Sequence, residues 1–217
     1  MWGRAESDLE SCVFCQHEAL HHHILHETEH FLLLADHAPV VEGHLLILPR
    51  AHFACYGSVP ASLDVELLRL KDMVTNFSQE TYQTPVFFEH GVYRQTVFHA
   101  HLHAIPIGSF PEEIARVATV EGAFIQTQSD IRDWFQAHGH YFYLERLTGD
   151  GNPSQATIFP PSEQVYRQVL GILREQTGDP GGWKPQPVRR LTSENKVRSL
   201  TYAWQRYLSS AARRGSM

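Results

Sequence analysis

Three imidazoles alternate with apolar residues in His99-Ala100-His101-Leu102-His103-Ala104-Ile105, a run that begins at Val97-Phe98. Such alternation predicts a strand. It would place His99, His101 and His103 on one face, roughly 7 Å apart at two residues of strand rise, with Phe98, Ala100, Leu102 and Ala104 on the other. A row of imidazoles can act as nucleophiles and proton carriers, or can chelate a metal that keeps an open position. With 15 histidines in the chain, a third reading is a sheet face that is merely histidine-rich. Against it, histidine is a minority residue at half-exposed strand positions.

Two further groups could do chemistry. Cys12-Val13-Phe14-Cys15 is a C-x-x-C pair, and the third cysteine, Cys55, stands apart. Such a pair is open to zinc, to redox chemistry or to neither. A redox motif belongs where a strand enters a helix, whereas a polar, histidine-rich stretch follows here. A closed zinc tetrahedron would need two nitrogen donors, with His52 and one strand histidine at hand. Asp36 ends the apolar run Phe31-Leu32-Leu33-Leu34-Ala35 just before His37-Ala38-Pro39. There a carboxylate can cap the turn, or its two oxygens can accept from a cis-diol.

The ordered pair Val41-Glu42-Gly43-His44-Leu45-Leu46-Ile47-Leu48-Pro49-Arg50-Ala51-His52 and Gln95-Thr96-Val97-Phe98-His99-Ala100-His101-Leu102-His103-Ala104-Ile105-Pro106 resembles the histidine triad (HIT) superfamily of nucleotide hydrolases and transferases. Cys12 and Cys15 resemble its zinc-bearing branch. The resemblance covers about the first half of the chain. It implies structural zinc on Cys12, Cys15, His52 and His99, which would leave the metal closed. It also implies His101 as the nucleophile, and His103 as the residue that contacts phosphate and helps the leaving group. Asp36 falls where family members hold the ribose hydroxyls, so Leu34, His37 and Leu46 would flank the base.

The chemistry suits that division of labour. A neutral imidazole attacks phosphorus through Nε2 only if its proton is held on Nδ1, so His101 should donate Nδ1–H to a backbone carbonyl. An imidazole with an ordinary pKa of about 6.5 is mostly neutral at pH 7. Attack at the α-phosphorus would give a nucleotidyl-histidine. Water or another acceptor would then remove the nucleotide, with Gln95, Thr96 and His103 donating to the non-bridging oxygens.

Phe87-Phe88-Glu89-His90-Gly91-Val92-Tyr93-Arg94 departs from the Asn- and Gly-rich residues that many small members carry before the triad. It more resembles larger branches such as the dinucleoside polyphosphate phosphorylases. Arg94 either clamps a second phosphate or lies on the surface. Members that transfer nucleotides to acceptors other than water often carry glutamine as third triad residue, so His103 favours hydrolysis.

At 217 residues with a net charge of −6, the chain can bury a good core, and the charge argues against generic nucleic-acid affinity. No apolar run reaches the eighteen or so residues of a membrane span, and Met1 to Asp8 lacks a signal-peptide stretch. Three cysteines, two spaced as ligands, point to a reducing cytoplasm.

The elements that must position these groups follow from periodicity. A helix is expected from Ser62 to Gln79 with Leu63, Leu67, Leu70, Val74 and Phe77 on its buried face. Ile114 to Trp134 is mixed in pattern. Tyr141–Leu147 and Ala156–Phe159 should pair across the turn-rich residues 148–153. A helix from Ser162 to Thr177 should bury Val165, Val169, Ile172 and Leu173 and stop at Gly178. The last helix, Ser193 to Arg213, carries Val197, Leu200, Trp204, Tyr207 and Leu208 on one stripe. From Arg189 to Arg214, seven basic residues face the single acid Glu194. Such runs are usually solvated faces, and the alternative is steering of an anionic substrate. His17, His21, His22, His23, His26 and His30 read as a surface loop.

The expected fold class is α+β, a HIT-like antiparallel sheet with packed helices plus a C-terminal α/β extension. Residues 1–110 would form the core with zinc site and triad, and residues 111–217 an extension packed on it. The expected activity is cleavage at the α-phosphate of a nucleotide conjugate, such as a dinucleoside polyphosphate or phosphoramidate, with release of a nucleoside monophosphate. The alternatives are transfer of the nucleotide to phosphate or another acceptor, and nucleotide binding with little turnover. The expected partner is a purine nucleotide or nucleotide conjugate. Smaller members of the family are dimers, so a homodimer is also an expectation, with the extension placed to reshape that interface.

Overall fold

A computed structural model describes residues 12–108, 122–146, 155–164, 167, 168, 171, 175, 188, 189 and 193–214. Among them, β1 (Ile24–Glu27), β2 (Phe31–Ala35), β3 (Leu45–Pro49), β4 (Pro85–Glu89), β5 (Leu102–Pro106), β6 (Ala123–Ile125), β7 (Phe142–Arg146) and β8 (Gln155–Phe159) form one antiparallel sheet. Its strand order is β1-β2-β3-β5-β4-β7-β8-β6. Four helices accompany it in the described residues: α1 (His17–Leu20), α2 (Asp64–Thr81), α3 (Gln128–His138) and α4 (Glu194–Arg214). None is long and apolar enough to cross a membrane.

The alternation of side chains divides the molecule. Phe31, Leu33, Ala35, Leu45, Ile47, Phe87, Leu102, Ala104 and Tyr143 pack with Leu67, Leu70, Val74 and Phe77 of α2 and with Leu200 and Trp204 of α4. Leu32, Leu34, Leu46 and Leu48 face the other way, into a second cluster with Cys12 and Phe14. Both faces of β2 and β3 are thus covered, and all ten of their residues are buried. His103 pairs with Leu46 on β3 and with Phe88 on β4, so it stands on the face opposite α2.

The expected face of α2 is the buried one: Leu63, just before the helix, and Leu67, Leu70, Val74 and Phe77 are all enclosed. The pair β7–β8 is antiparallel, as its patterns indicate. On α4, Leu200 and Trp204 are buried, Val197 and Tyr207 pack against the core, and Leu208 is exposed. Glu163, Gln164, Arg167, Gln168, Gly171 and Glu175 are helical, within the helix expected from Ser162. Residues 1–8, 114–121, 148–153, 165, 169, 172, 173 and 178 lie outside the described residues.

Two expectations need correction. The triad strand starts at Leu102 rather than at His99. Its ladder with β3 stops at Ile47↔Leu102 because Pro49 has no N–H to continue it, and the Pro49 carbonyl accepts from His99 Nε2 at 2.8 Å. The Ala100 N–H turns to Phe53 O, at 2.6 Å. Second, the His17–His30 stretch is not simply a loop. It contains α1 and the edge strand β1, and His30 Nδ1 lies 2.8 Å from Glu66 Oε2 on α2.

Candidate active site and metal-ligand cluster

His101 sits one residue before β5 and is buried. Its Nδ1 lies 2.6 Å from the His99 carbonyl. A carbonyl only accepts, so the proton is on Nδ1 and Nε2 carries the lone pair. Burial pulls the His101 pKa down, although the His99 carbonyl and the Asp36 charge oppose it, so the ring is neutral at pH 7. Phe14 meets the ring edge-on at 5.4 Å between centroids.

His103 lies 5.0 Å from His101 between ring centroids. Its Nδ1 is 3.0 Å from His44 Nε2, and His44 Nδ1 is 3.2 Å from Asp36 Oδ2. A carboxylate only accepts. His44 therefore donates from Nδ1, accepts at Nε2 from His103, and leaves His103 Nε2 bare; these tautomers are assigned from the contacts. The Val40 N–H at 3.4 Å is a weaker competitor for His44 Nδ1. Burial lowers the His103 pKa well below its ordinary value, reinforced by His101, His44, His90 and Arg189. The His44 pKa is lowered too, by burial, with Asp36 opposing.

Asp36 is nearly enclosed, and Oδ1 accepts from Ala38 N–H at 2.8 Å, the turn-capping contact. Each carboxylate oxygen can accept a second bond. Gln95 donates from Nε2 to the Ala54 carbonyl at 3.1 Å, while its buried Oε1 has no partner among the described residues. Thr96 is exposed. Arg94 pairs with Glu163 at 2.6 Å, with a side chain 51% exposed. Val92 and Arg94 both have left-handed backbone, φ 80° and 55°, so this loop is held in a conformation that a β-branched residue rarely adopts.

The four expected metal ligands come together. Ligand atoms of Cys12, Cys15, His52 and His99 all lie within 4.8 Å of one another. Cys12 Sγ is 3.5 Å from His99 Nδ1, and Cys15 Sγ is 3.3 Å from His52 Nδ1 and 3.6 Å from His99 Nδ1. Sulfur and nitrogen donors on one tetrahedral zinc, at about 2.3 and 2.0 Å, stand roughly 3.6 Å apart. The donor set therefore fits such an ion. Because His99 Nε2–H is spent on Pro49 O, Nδ1 is left as the ligand atom. Burial and the facing Cys12 push the Cys15 thiol up to about 12.

Four residues here were not singled out by sequence. His44 closes the chain between Asp36 and His103, and its only signal was a histidine just ahead of an all-apolar strand. His90 lies 6.1 Å from His103 between ring centroids, and burial lowers its pKa to about 4. Phe14 lies between the cysteines. Arg189 was counted only as part of a basic tail, yet its Nε–H donates to Ala38 O at 2.9 Å.

An antiparallel sheet carrying buried, tautomer-fixed histidines beside a Cys2His2 cluster defines the class, and the comparisons agree with it. The family model described as "Protein similar to CwfJ C-terminal" matches residues 3–120, more than half of the chain. The chain belongs to that family, within the histidine triad superfamily. It is similar to the uncharacterized HIT-like protein MG132 of Mycoplasma genitalium, 28% identical over 102 residues, 44% of this chain and 72% of the relative. An uncharacterized 16.1 kDa HIT-like protein of Mycoplasma pneumoniae is 32% identical over 84 residues, 37% of this chain and 58% of the relative. Among solved structures, a Zn-bound histidine triad family protein from Mycobacterium smegmatis is 26% identical, with a TM-score of 0.40 over 45% of this chain and 76% of that one.

Proposed function

We propose that the chain is a nucleotide hydrolase that works through a nucleotidyl-His101 intermediate. The observation that carries this is the 2.6 Å contact of His101 Nδ1 with the His99 carbonyl, which leaves Nε2 unprotonated. In the first step the Nε2 lone pair forms a bond to the α-phosphorus, and the bond to the leaving group breaks with its electron pair going to that group. In the second, a water oxygen attacks phosphorus, its proton passes to His103 Nε2, and the N–P bond returns its pair to His101. The imidazolium formed on His103 is stabilised through His44 by Asp36. Asp36 also receives the ribose hydroxyls with its remaining lone pairs. Gln95 and Thr96 face the phosphate, and Arg94 reaches it on leaving Glu163.

Zinc is held by Cys12, Cys15, His52 and His99 in this reading. With four protein ligands it is a cross-link that fixes His99, and it takes no part in the chemistry. Metal analysis of protein purified without an affinity metal checks this, one zinc per chain being expected.

Product analysis by mass spectrometry tests the activity, with wild type and His101→Ala offered adenosine phosphoramidate, diadenosine polyphosphates and adenosine 5′-phosphosulfate, with and without inorganic phosphate. Wild type should release a monophosphate that carries solvent oxygen-18 and needs no phosphate, and His101→Ala should release none. Diphosphate products that require phosphate would replace hydrolysis by transfer. Equal nucleotide binding by both proteins without product or adduct would leave a binding protein.

A further inference from the structure

The turn from Cys12 to Cys15 sorts its two middle residues. Cys15 N–H donates to the Cys12 carbonyl at 3.0 Å, Val13 is left exposed, and Phe14 is enclosed with Leu32, Leu34, Leu46 and Leu48. Phe14 thereby carries its ring from the metal-ligand cluster to two histidines of the triad. Its centroid lies 5.8 Å from that of His99, with 89° between the planes, and 5.4 Å from that of His101, with 65°. Both are edge-on arrangements of the kind that aromatic pairs prefer.

The contact with His101 supplies what its hydrogen bond does not. The bond from Nδ1–H to the His99 carbonyl decides which nitrogen bears the proton. A hydrogen bond tolerates a range of angles, and the terminal torsion of histidine is broad, so that bond holds the plane of the ring only loosely. Among the described residues, the rings against His101 are those of Phe14 and His103, with centroids 5.4 and 5.0 Å away. His103 meets the substrate in the proposed reading, whereas Phe14 is packed in place beforehand. Aim matters to a nucleophile, since a misplacement of about 1 Å can cost about a hundredfold in rate. Cys12 and Cys15 flank Phe14, and His99 supplies the carbonyl, so one four-ligand cluster anchors both restraints.

We propose that Phe14 is a positioning residue for the nucleophile, which holds the plane of the His101 imidazole from the metal-ligand turn and so aims Nε2 before the nucleotide binds. The proposal rests on the hydrolase reading above, and its test separates the two.

Single-turnover release of the leaving group, steady-state kcat and KM, and zinc content are measured for wild type, Phe14→Leu and Phe14→Ala, on whichever of the substrates named above wild type cleaves fastest. Phe14→Leu keeps an apolar side chain in the cluster but has no flat edge to offer the imidazole. It should keep the zinc content of wild type and a KM within about twofold, while the release rate and kcat fall about tenfold to a hundredfold. Phe14→Ala, which also leaves a cavity, should fall at least as far. A raised KM with kcat retained would make Phe14 a wall of the nucleotide site and overturns the proposal. A wild-type kcat in Phe14→Leu, or a loss of activity that only follows loss of zinc, overturns it too.

Nitrogen-15-edited NMR of the zinc-loaded proteins gives a readout independent of turnover. The His101 Nδ1–H resonance, assigned by its absence from His101→Ala, should exchange with water roughly tenfold faster in Phe14→Leu than in wild type, the scale of one edge-on ring pair. Equal exchange in the two proteins overturns the proposal. If wild type turns over no substrate while the exchange rates differ, the hydrolase reading fails and the held ring stands.

Discussion

Asp36 has two duties at the residue scale, and one substitution separates them. Its Oδ2 accepts from His44 and so fixes the tautomer that fixes His103, while its spare lone pairs face a ribose in the proposed reading. Asp36→Asn replaces one acceptor oxygen by a donor, which opposes His44 Nδ1–H and turns the relay around. The expected outcome is a kcat lowered tenfold to a hundredfold, in order of magnitude, with a smaller change in KM. Steady-state kinetics on the best substrate checks it. A raised KM with kcat retained would leave Asp36 with the ribose alone, and an unchanged kcat would remove the Asp36–His44–His103 chain from the chemistry. His101 draws its own tautomer from a main-chain carbonyl, so Asp36→Asn should disturb the second step more than the first.

At the scale of elements, the loop that leads into the triad hangs on Glu89, the last residue of β4. Buried Glu89 accepts from Tyr141 Oη at 2.5 Å and from Tyr56 N–H at 2.8 Å, and Tyr141 Oη accepts from Gly57 N–H at 2.9 Å. These bonds tie β4, the turn Tyr56–Ser58 and the entry to β7 together. Burial raises the Glu89 pKa to about 7, against the two hydrogen bonds that lower it. The same site raises Cys55 to about 12, by burial and by the Glu89 charge. Because the folded chain holds the Glu89 proton up to about pH 7 and the unfolded chain releases it near 4.5, the contribution of Glu89 to stability falls as pH rises between those values, by about 3 kcal/mol, and is level above, while buried histidines such as His90, with lowered pKa, contribute the opposite slope over the lower part of that range. Denaturant unfolding at pH 5, 6, 7 and 8 should show wild type losing stability relative to Glu89→Gln by that amount as pH rises, because the histidine contributions cancel in the difference. An identical slope in the variant would mean that Glu89 does not titrate there.

Little of this network was legible in the sequence, because Tyr56, Glu89 and Tyr141 share no motif and meet only through strand order. The α2 face was legible because 3.6-residue periodicity is a local property, and so were the four donors, which a resemblance carries with their order. Helix α3 was overlooked, although Thr127 and Asp130 form a capping box and Gly139 ends the helix at φ 75°. The triad strand was read too long because period-2 alternation does not reveal that Pro49 cuts the ladder. His44, His90 and Arg189 reach the site through turns or long-range contacts, which leave no spacing to read.

The whole molecule raises the question of whether residues 1–110 and 111–217 are separate units. We propose that they behave as one. Strand β7 extends the sheet from β4, and buried Lys71 of α2 pairs with Glu145 of β7, which also accepts from Tyr143 Oη at 2.6 Å. Arg132 of α3 forms a two-pronged bond with Asp64 at the start of α2, at 2.8 and 2.7 Å. Trp204 of α4 is buried against Phe77 of α2, with ring centroids 4.9 Å apart. Without the extension, β4 would present an unpaired edge and α2 an uncovered stripe. Lys71→Met leaves the Glu145 charge buried without its partner, and a loss of about 3 to 5 kcal/mol is expected. Hydrogen exchange is the decisive measurement, since it reads β2 and β3 separately from β7 and β8. In a single cooperative unit the variant lowers protection in both groups of strands together, because opening either exposes the other. If β7 and β8 lost protection while β2 and β3 kept that of wild type, the first 110 residues would be an autonomous domain, and the segment carrying Arg189 would be a dispensable addition to it.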